Sequence, residues 1–430
     1  MHTASDITIK NISKVEGRAN LSVKLAGKKI EKVEFQIAEY KRFYTRAIRG
    51  KNINALPQMV SRICGTCSIA HLICSIKAIE KALEISPSPQ TIRLRKLIMY
   101  GLVIRDHALH LYLFALPDYF GKDSILEFDE HNAKERELLH DAFAVKKSGN
   151  ILSSWIGGRA VHALYPKVGG FVKLPDMEQK KSVMDSLKGA RKRVFALLQI
   201  FSKSPFEFSR KTHFAAITPD DFNFLEGPLK STHGWNIEER KYREHLQHVV
   251  IPYSMSSGYT LDNQSYMVGA LARININKKH LHEKTRRDTE EYLALFPSEN
   301  IFLNNLAQTI EIIHAIDHSL ELLKTLELQT ESAPQFALKK TSGVGIIEAP
   351  RGLLFYQLDI NENGVIEDGQ IVVPTSQNQI NIEQDVRYLV EQNMEREKPE
   401  IELMLEMLIR AYDPCMSCAS HFLKVRWEGK

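Results

Sequence analysis

Cysteine is scarce in this chain, with five in 430 residues. That number is too small for a disulfide-stapled secreted domain. The first residues, Met-His-Thr-Ala-Ser-Asp, lack the basic-then-apolar pattern of a secretory signal, so a reducing cytoplasm is the expected setting. No stretch approaches the 18 or so consecutive apolar residues of a membrane-spanning helix. The net charge is only +5, and no basic run carries interleaved aromatics, which argues against a nucleic-acid partner. Internal repeats, low-complexity tracts and convincing linkers are absent as well. What is present is 43% hydrophobic and 25% charged, the balance of a soluble globular protein. The length would allow two or three domains.

Four of the five cysteines fall in two pairs at opposite ends of the chain. The first stretch reads Arg62-Ile-Cys-Gly-Thr-Cys-Ser-Ile-Ala-His71, the second Asp413-Pro-Cys-Met-Ser-Cys-Ala-Ser-His421. Two residues between cysteines let both sulfurs reach one ion while the backbone turns. Four thiolates form a soft donor set suited to zinc, nickel or iron. Structural zinc pairs usually lie about 15–20 residues apart, whereas here nearly the whole chain intervenes. Spacing alone leaves structural zinc, a reactive metal and an iron–sulfur cluster open.

Residues 6–12, 19–25 and 29–38 alternate apolar and polar side chains and predict a small antiparallel sheet, turning at Ala26-Gly27-Lys28. A helical pattern runs from Cys67 to Ile85, with Cys74 on its apolar face as a core thiol. Ser88 and Pro89 then provide an N-cap and first turn for a long buried helix over 90–115. Asp106 and His110 are spaced for chelation on that helix, although such groups are more often hydrogen-bonded core residues. A basic amphipathic helix is expected over 177–201, facing the surface, and another helix over 301–327. His314 and His318 on the latter are expected to be structural, since no Glu follows His314 as an H-E-x-x-H zinc motif requires. Strands return over 344–373 around an Asn363-Gly364 turn, followed by helices at 383–411.

The flanking residues narrow the metal reading. R-x-C-G-x-C-x-x-x-H and D-P-C-x-x-C-x-x-H resemble the two cysteine motifs of the large subunit of nickel–iron hydrogenases. Further blocks resemble the same family: Lys14-Val-Glu-Gly-Arg18, Asp106-His-Ala-Leu-His-Leu-Tyr112, Gly157-Gly-Arg-Ala-Val-His162, Glu348-Ala-Pro-Arg-Gly352 and Val373-Pro-Thr-Ser-Gln-Asn378. Ala163 and Gln377 depart from the family pattern, which has proline and tryptophan there. The resemblance implies a mainly α fold with small β-sheets (α+β). A buried bundle of long helices would pack with the N-terminal sheet in a single 1–430 domain.

The resemblance also implies roles. Cys64 and Cys415 would bind nickel terminally, while Cys67 and Cys418 would bridge nickel and iron. The iron would also carry carbon monoxide and cyanide. Arg351 would hang over the metals, held by Asp106 and Asp413. Pro374 and Thr375 would face the diatomic ligands, and His71 would support a bridging sulfur. Arg62 would help offset the thiolate charge. Glu16 would carry protons outward from a thiolate. His421 would bind a separate magnesium-type ion, whose usual carboxylate partner is replaced by Thr45.

The implied reaction is reversible heterolytic cleavage of dihydrogen. The proton would go to a terminal thiolate, most readily Cys415, or to Arg351. No cysteine remains for an electron relay, so an iron–sulfur small subunit is implied. Further subunits would reduce a soluble carrier such as nicotinamide or deazaflavin. Nickel-insertion factors and an endopeptidase that removes residues 422–430 are implied too. The alternatives from other classes are a hydrogen-sensing regulatory homologue and a zinc-stabilised scaffold without catalysis.

Overall fold

The computed structural model describes residues 6–40, 43–332 and 334–420. His421 and the segment 422–430 therefore lie outside the described residues, and with them the magnesium-type ligand and the removable tail expected above. The fold is mainly helical with small antiparallel sheets, as the resemblance implies.

Strands β1 (Ile7–Ile9), β2 (Ala19–Ala26) and β3 (Lys29–Ile37) pair antiparallel in the order β1-β2-β3. Alternation decides which face is inward, and Leu21, Val23, Phe35 and Ile37 are fully buried. Helix α1 (Ser68–Leu83) follows the first cysteine pair, and Cys67 is its N-cap residue. Next comes α2 (Pro89–Ala108), whose capping residue Ser88 accepts a hydrogen bond from the Thr91 amide. The single long helix expected over 90–115 is a composite. After Ala108 the backbone widens into a π-helix over Leu109–Ala115, which carries His110.

Helix α3 (Ala133–Gly157) packs along α2 at close range. A Cβ at Gly149 would meet the Arg105 amide nitrogen at 2.6 Å, so only glycine permits this approach. Helix α4 (Lys180–Ser202) is the predicted basic helix, but it is not merely surface-facing. Its stripe of Val183, Leu187, Ala190, Val194, Leu197, Leu198 and Phe201 is buried against its helical neighbours. Residues 215–261 hold five short strands, a 3₁₀ turn at Glu239–Lys241 and a single helical turn at Tyr242–His245, in a region where the sequence pattern predicted no element. Helix α5 (Ala270–Asn277) and the buried α6 (Leu303–Lys324) complete the bundle around α2.

Strands β4 (Thr341–Ala349), β5 (Gly352–Ile360) and β6 (Ile366–Val372) form another three-stranded meander. Helix α1 lies across β4 and β5. Helix α7 (Pro374–Asn393) begins nine residues before the predicted 383 start, and α8 (Lys398–Ala411) follows separately. Pro374 at the first helical position is the signal that marks this start. The largest apolar cluster runs from Ile7 to Ala419, so both chain ends contribute to the same core.

Candidate metal centre

Two loops at opposite ends of the chain meet beside α7. The first leaves a 3₁₀ turn at Ser61–Ile63, extends at Cys64 and enters α1 at Cys67. In the second, Asp413 takes a left-handed conformation (φ 51°), Cys415 is extended, and a helical turn covers Met416–Ala419. Cys415 and Glu16 form a parallel bridge, in which the Met416 amide donates to the Glu16 carbonyl at 3.0 Å. Gly17 has φ 83°, and a Cβ there would sit 2.8 Å from that of Met416. Glycine therefore lets the N-terminal segment lie against the C-terminal one.

The four cysteine sulfurs lie within 4.8 Å of one another, all buried. Cys64 Sγ is 3.4 Å from Cys415 Sγ, and Cys67 Sγ is 2.9 Å from Cys418 Sγ. Hydrogen bonds from Cys415, Cys418 and Cys67 hold the Cys64 thiol well below the usual range, while burial pushes Cys415 and Cys418 up. One thiolate thus forms readily and the rest need a cation to follow, as a multivalent metal site requires. Cys74 stays outside the cluster, its thiol bonded to the Gly345 and Leu354 carbonyls.

Arg351 lies at the turn between β4 and β5, clamped from two sides. Its Nη1 donates to Asp106 Oδ2 at 2.6 Å and its Nε to Asp413 Oδ1 at 3.1 Å. Burial works against the Arg351 charge, but Asp106 and Asp413 outweigh it and hold the guanidinium protonated. Nη2 is 3.0 Å from Asp413 Oδ1 without hydrogen-bond alignment, so this buried N–H donor is unpaired. Asp106 Oδ1 is also buried and unpaired. Orphaned polar atoms in a dry pocket are costly unless a ligand completes them. That small pocket is lined by Cys67, His71, Arg351, Pro374, Thr375, Cys415 and Cys418 among others.

Thr375 Oγ1 accepts the Cys415 amide at 2.9 Å and so fixes the second loop to the start of α7. His71 Nδ1 bonds the Tyr356 hydroxyl at 2.8 Å, and its Nε2 faces Cys418 Sγ at 3.6 Å. Burial pulls the His71 pKa down to about 4, so the ring is neutral. Glu16 Oε2 accepts from Cys415 Sγ at 3.1 Å and from the Ser417 amide at 3.0 Å. Burial raises the Glu16 pKa, with the charge on Cys64 adding to the effect.

Arg62 is a correction. Its side chain is exposed, and the buried cation beneath the first cysteine loop is Arg105, which donates to the carbonyls of Thr66 and Ala160. Ser61 and Ile63 turn inward on the 3₁₀ turn, which points the intervening Arg62 outward. The signal for Arg105 was a charge directly after the apolar run 97–104 of α2. Two other contributors gave no local signal. Arg273 holds the Arg351 turn by donating to the Ala349 and Pro350 carbonyls, and Gln308 donates to Asp413 Oδ2 at 2.9 Å. Gln377 fills its place by accepting from Tyr242 and Tyr266 while donating to the Leu353 carbonyl.

A buried four-thiol cluster under a clamped guanidinium defines a metalloenzyme-type centre, and comparison specifies which. Residues 45–149 and 224–421 match the sequence profile of nickel-dependent hydrogenases. The alpha subunit of sulfhydrogenase 1 of Pyrococcus furiosus is 31% identical over 430 residues, covering 97% of this chain and 98% of that protein. The corresponding chain of the vhc F420-non-reducing hydrogenase of Methanococcus voltae is 25% identical, covering 96% and 94%. Among solved structures, an NAD+-reducing [NiFe]-hydrogenase in the H2-reduced state superposes with a TM-score of 0.88 at 22% identity, covering 98% of this chain and 100% of that one. The chain belongs to the nickel-dependent hydrogenase family, as a large catalytic subunit, and is an oxidoreductase.

Proposed function

We propose that this chain cleaves dihydrogen heterolytically, and reversibly, at a nickel–iron centre held by Cys64, Cys67, Cys415 and Cys418. The observation that carries the reading is the buried four-sulfur cluster beneath the unpaired Nη2 of Arg351. When bound, such a centre, with carbon monoxide and cyanide on iron, supplies the Lewis acid and redox capacity the reaction needs. Cys64 and Cys415 would hold nickel, with Cys67 and Cys418 completing the thiolate set that holds the centre. Arg351 presents a fixed positive dipole to the pocket, which favours charge separation at the reacting molecule. Asp106 and Asp413 fix its orientation. Pro374 and Thr375 wall the pocket and keep water out, and neutral His71 supports the Cys418 sulfur.

The proton leaves through Cys415. Its sulfur already donates to Glu16, and burial raises that carboxyl above its ordinary range, which favours its taking up a proton from the thiol. Ser417 Oγ, 2.5 Å from Glu16 Oε1, holds the carboxyl in reach. Electrons need a separate carrier, because all five cysteines are already committed. An iron–sulfur partner subunit is therefore part of the proposal, in line with the relative named as an alpha subunit. A carrier-reducing subunit would complete the complex in the cytoplasm. We further assign residues 422–430 as a tail removed by an endopeptidase after nickel insertion, which intact mass of the nickel-loaded chain tests.

Infrared spectroscopy and metal analysis of the purified complex test the central reading. Nickel and iron, bands of metal-bound carbon monoxide and cyanide, and dihydrogen–deuteron exchange are expected. Zinc alone, without those bands, would establish a scaffold instead.

A further inference from the structure

His110 sits in the π-helical segment after α2, fully buried, and the function proposed above does not use it. Its hydrogen bonds fix its protonation. Asp413 Oδ1 faces the Arg351 guanidinium, and Oδ2 accepts from Gln308 Nε2 at 2.9 Å. A carboxylate can only accept, so the Gln308 amide must turn its nitrogen to Asp413 and its oxygen to His110. That oxygen lies 2.6 Å from His110 Nδ1. An amide oxygen cannot donate, so Nδ1 carries a proton. The other nitrogen, Nε2, lies 2.8 Å from the Arg410 carbonyl, which cannot donate either. Both ring nitrogens therefore carry protons.

We infer that His110 is a buried imidazolium and the positioning residue for the Asp413–Arg351 pair. The inference rests on the functional reading above only for its consequence in turnover. Two features of the fold accommodate the charge. Arg410 belongs to the last turn of α8, where the carbonyl end of a helix stabilises a cation. The Asp413 carboxylate is 4.0 Å from Nδ1.

The surrounding charges are accounted for on every side. From α8, the Arg410 guanidinium is committed to Asp118 at 2.7 and 3.0 Å. On the preceding turn, Asp106 is engaged with Arg351, Arg105 donates to the Thr66 and Ala160 carbonyls, and His107 bonds Glu311. From α6, Glu311 is held by Arg273. Phe114 places its ring edgewise, with centroids 6.5 Å apart.

Asp106 and Asp413 bring two negative charges, met by Arg351 between them and by Arg105 next to Asp106. His110 sets a further positive charge directly behind Asp413, so that carboxylate is held from both sides. The Gln308 bridge also fixes the Asp413 carboxylate plane, which sets where Arg351 Nε and Nη2 point.

Neutron diffraction from deuterium-exchanged crystals of the holoenzyme complex near pH 7 reads the charge directly. Deuterium is expected on both nitrogens of His110, and density on only one overturns the proposal. His110→Gln, a neutral replacement, is expected to lower kcat for dihydrogen–deuteron exchange by tenfold to a hundredfold, on the scale of ~1 Å misplacement. KM for dihydrogen and nickel content should stay unchanged. Wild-type kcat in that variant would overturn the positioning role. If the variant fails to hold nickel, the neutron result on the wild type decides. A wild-type complex with no exchange activity but deuterium on both nitrogens would sink the functional reading and leave the charge assignment standing.

Discussion

Arg351 is expected to do more than fill space, because a buried guanidinium with one unpaired nitrogen is an expensive object to keep. Arg351→Lys retains the charge but loses the planar fork that meets Asp106 and Asp413 together. Dihydrogen turnover should fall by about a hundredfold or more, with nickel and iron content preserved. Unaltered turnover in that variant would reduce the arginine to a structural clamp. Glu16→Gln can keep the bond from the Ser417 amide but removes the titrating proton. Exchange with solvent deuterons should drop by roughly a hundredfold or more, while the infrared bands stay in place. Exchange at the wild-type rate would mean that protons leave elsewhere.

The cysteines, Glu16, Asp106 and Arg351 were legible because each stands in a short run whose neighbours also serve the site. Arg105 and Gln308 were not, since they act on Thr66 and Asp413, 39 and 105 positions away in the chain. Arg62 misled for the converse reason. Its place in the motif says nothing about which way the 3₁₀ turn points it.

At the level of elements, the strongest constraint is the seating of α1 on β4, because it sets the height of Cys67 over the pocket. A Cβ at Gly345 would lie 2.7 Å from the Ala78 amide nitrogen and 2.8 Å from the Cys74 carbonyl. Those are backbone atoms that cannot swing aside. Gly345→Ala should therefore destabilise the chain by roughly 1–3 kcal/mol. An unchanged thermal midpoint would mean that the helix shifts without cost. The alternating strands and the Ser88-Pro89 cap were readable because their signals are local. The π-helical widening after Ala108 was not, as it depends on how α2 meets α6 and α8.

Helix α7 carries a pH-sensitive joint to the N-terminal sheet. Glu383 accepts from the Phe35 amide at 3.0 Å and the Tyr253 hydroxyl at 2.7 Å. Burial pushes its pKa up to about 7 from 4.5. A carboxyl raised on folding favours the folded state in its protonated form, fully so below about 4.5, and that stability is lost as pH rises through about 7. Partial solvent access limits the effect to ~1–2 kcal/mol. Wild type should lose thermal stability between pH 5 and 8 by an amount that Glu383→Gln removes. Parallel pH profiles for the two proteins would refute the link.

The whole molecule is tied together by its site. Residues 16, 64–67, 106, 351, 375 and 413–418 converge from almost the full length of the chain, and we treat it as one folding unit for that reason. The same convergence sets an order of events. All four sulfur-bearing residues are at most 4% exposed once the loops have met. A hydrated divalent ion cannot reach sulfurs buried to that degree, so loading must precede the docking of 413–420 onto Glu16 and Thr375. Residues 61–67 are flanked by a buried turn and α1 and have little freedom to open. The segment after α8 is held by the Met416 and Ser417 amides to Glu16, the Cys415 amide to Thr375, and Asp413 to Arg351 and Gln308, bonds to distant parts of the chain that form only when it docks. We propose that it is the element that closes last. If residues 422–430 keep it from docking early, a chain expressed without them should close empty. Elemental analysis is expected to find such a chain poor in nickel, while the full-length chain, matured in the same cells, is loaded. Equal nickel in the two would show that the thiols are reached by another route and that the tail plays no part in loading.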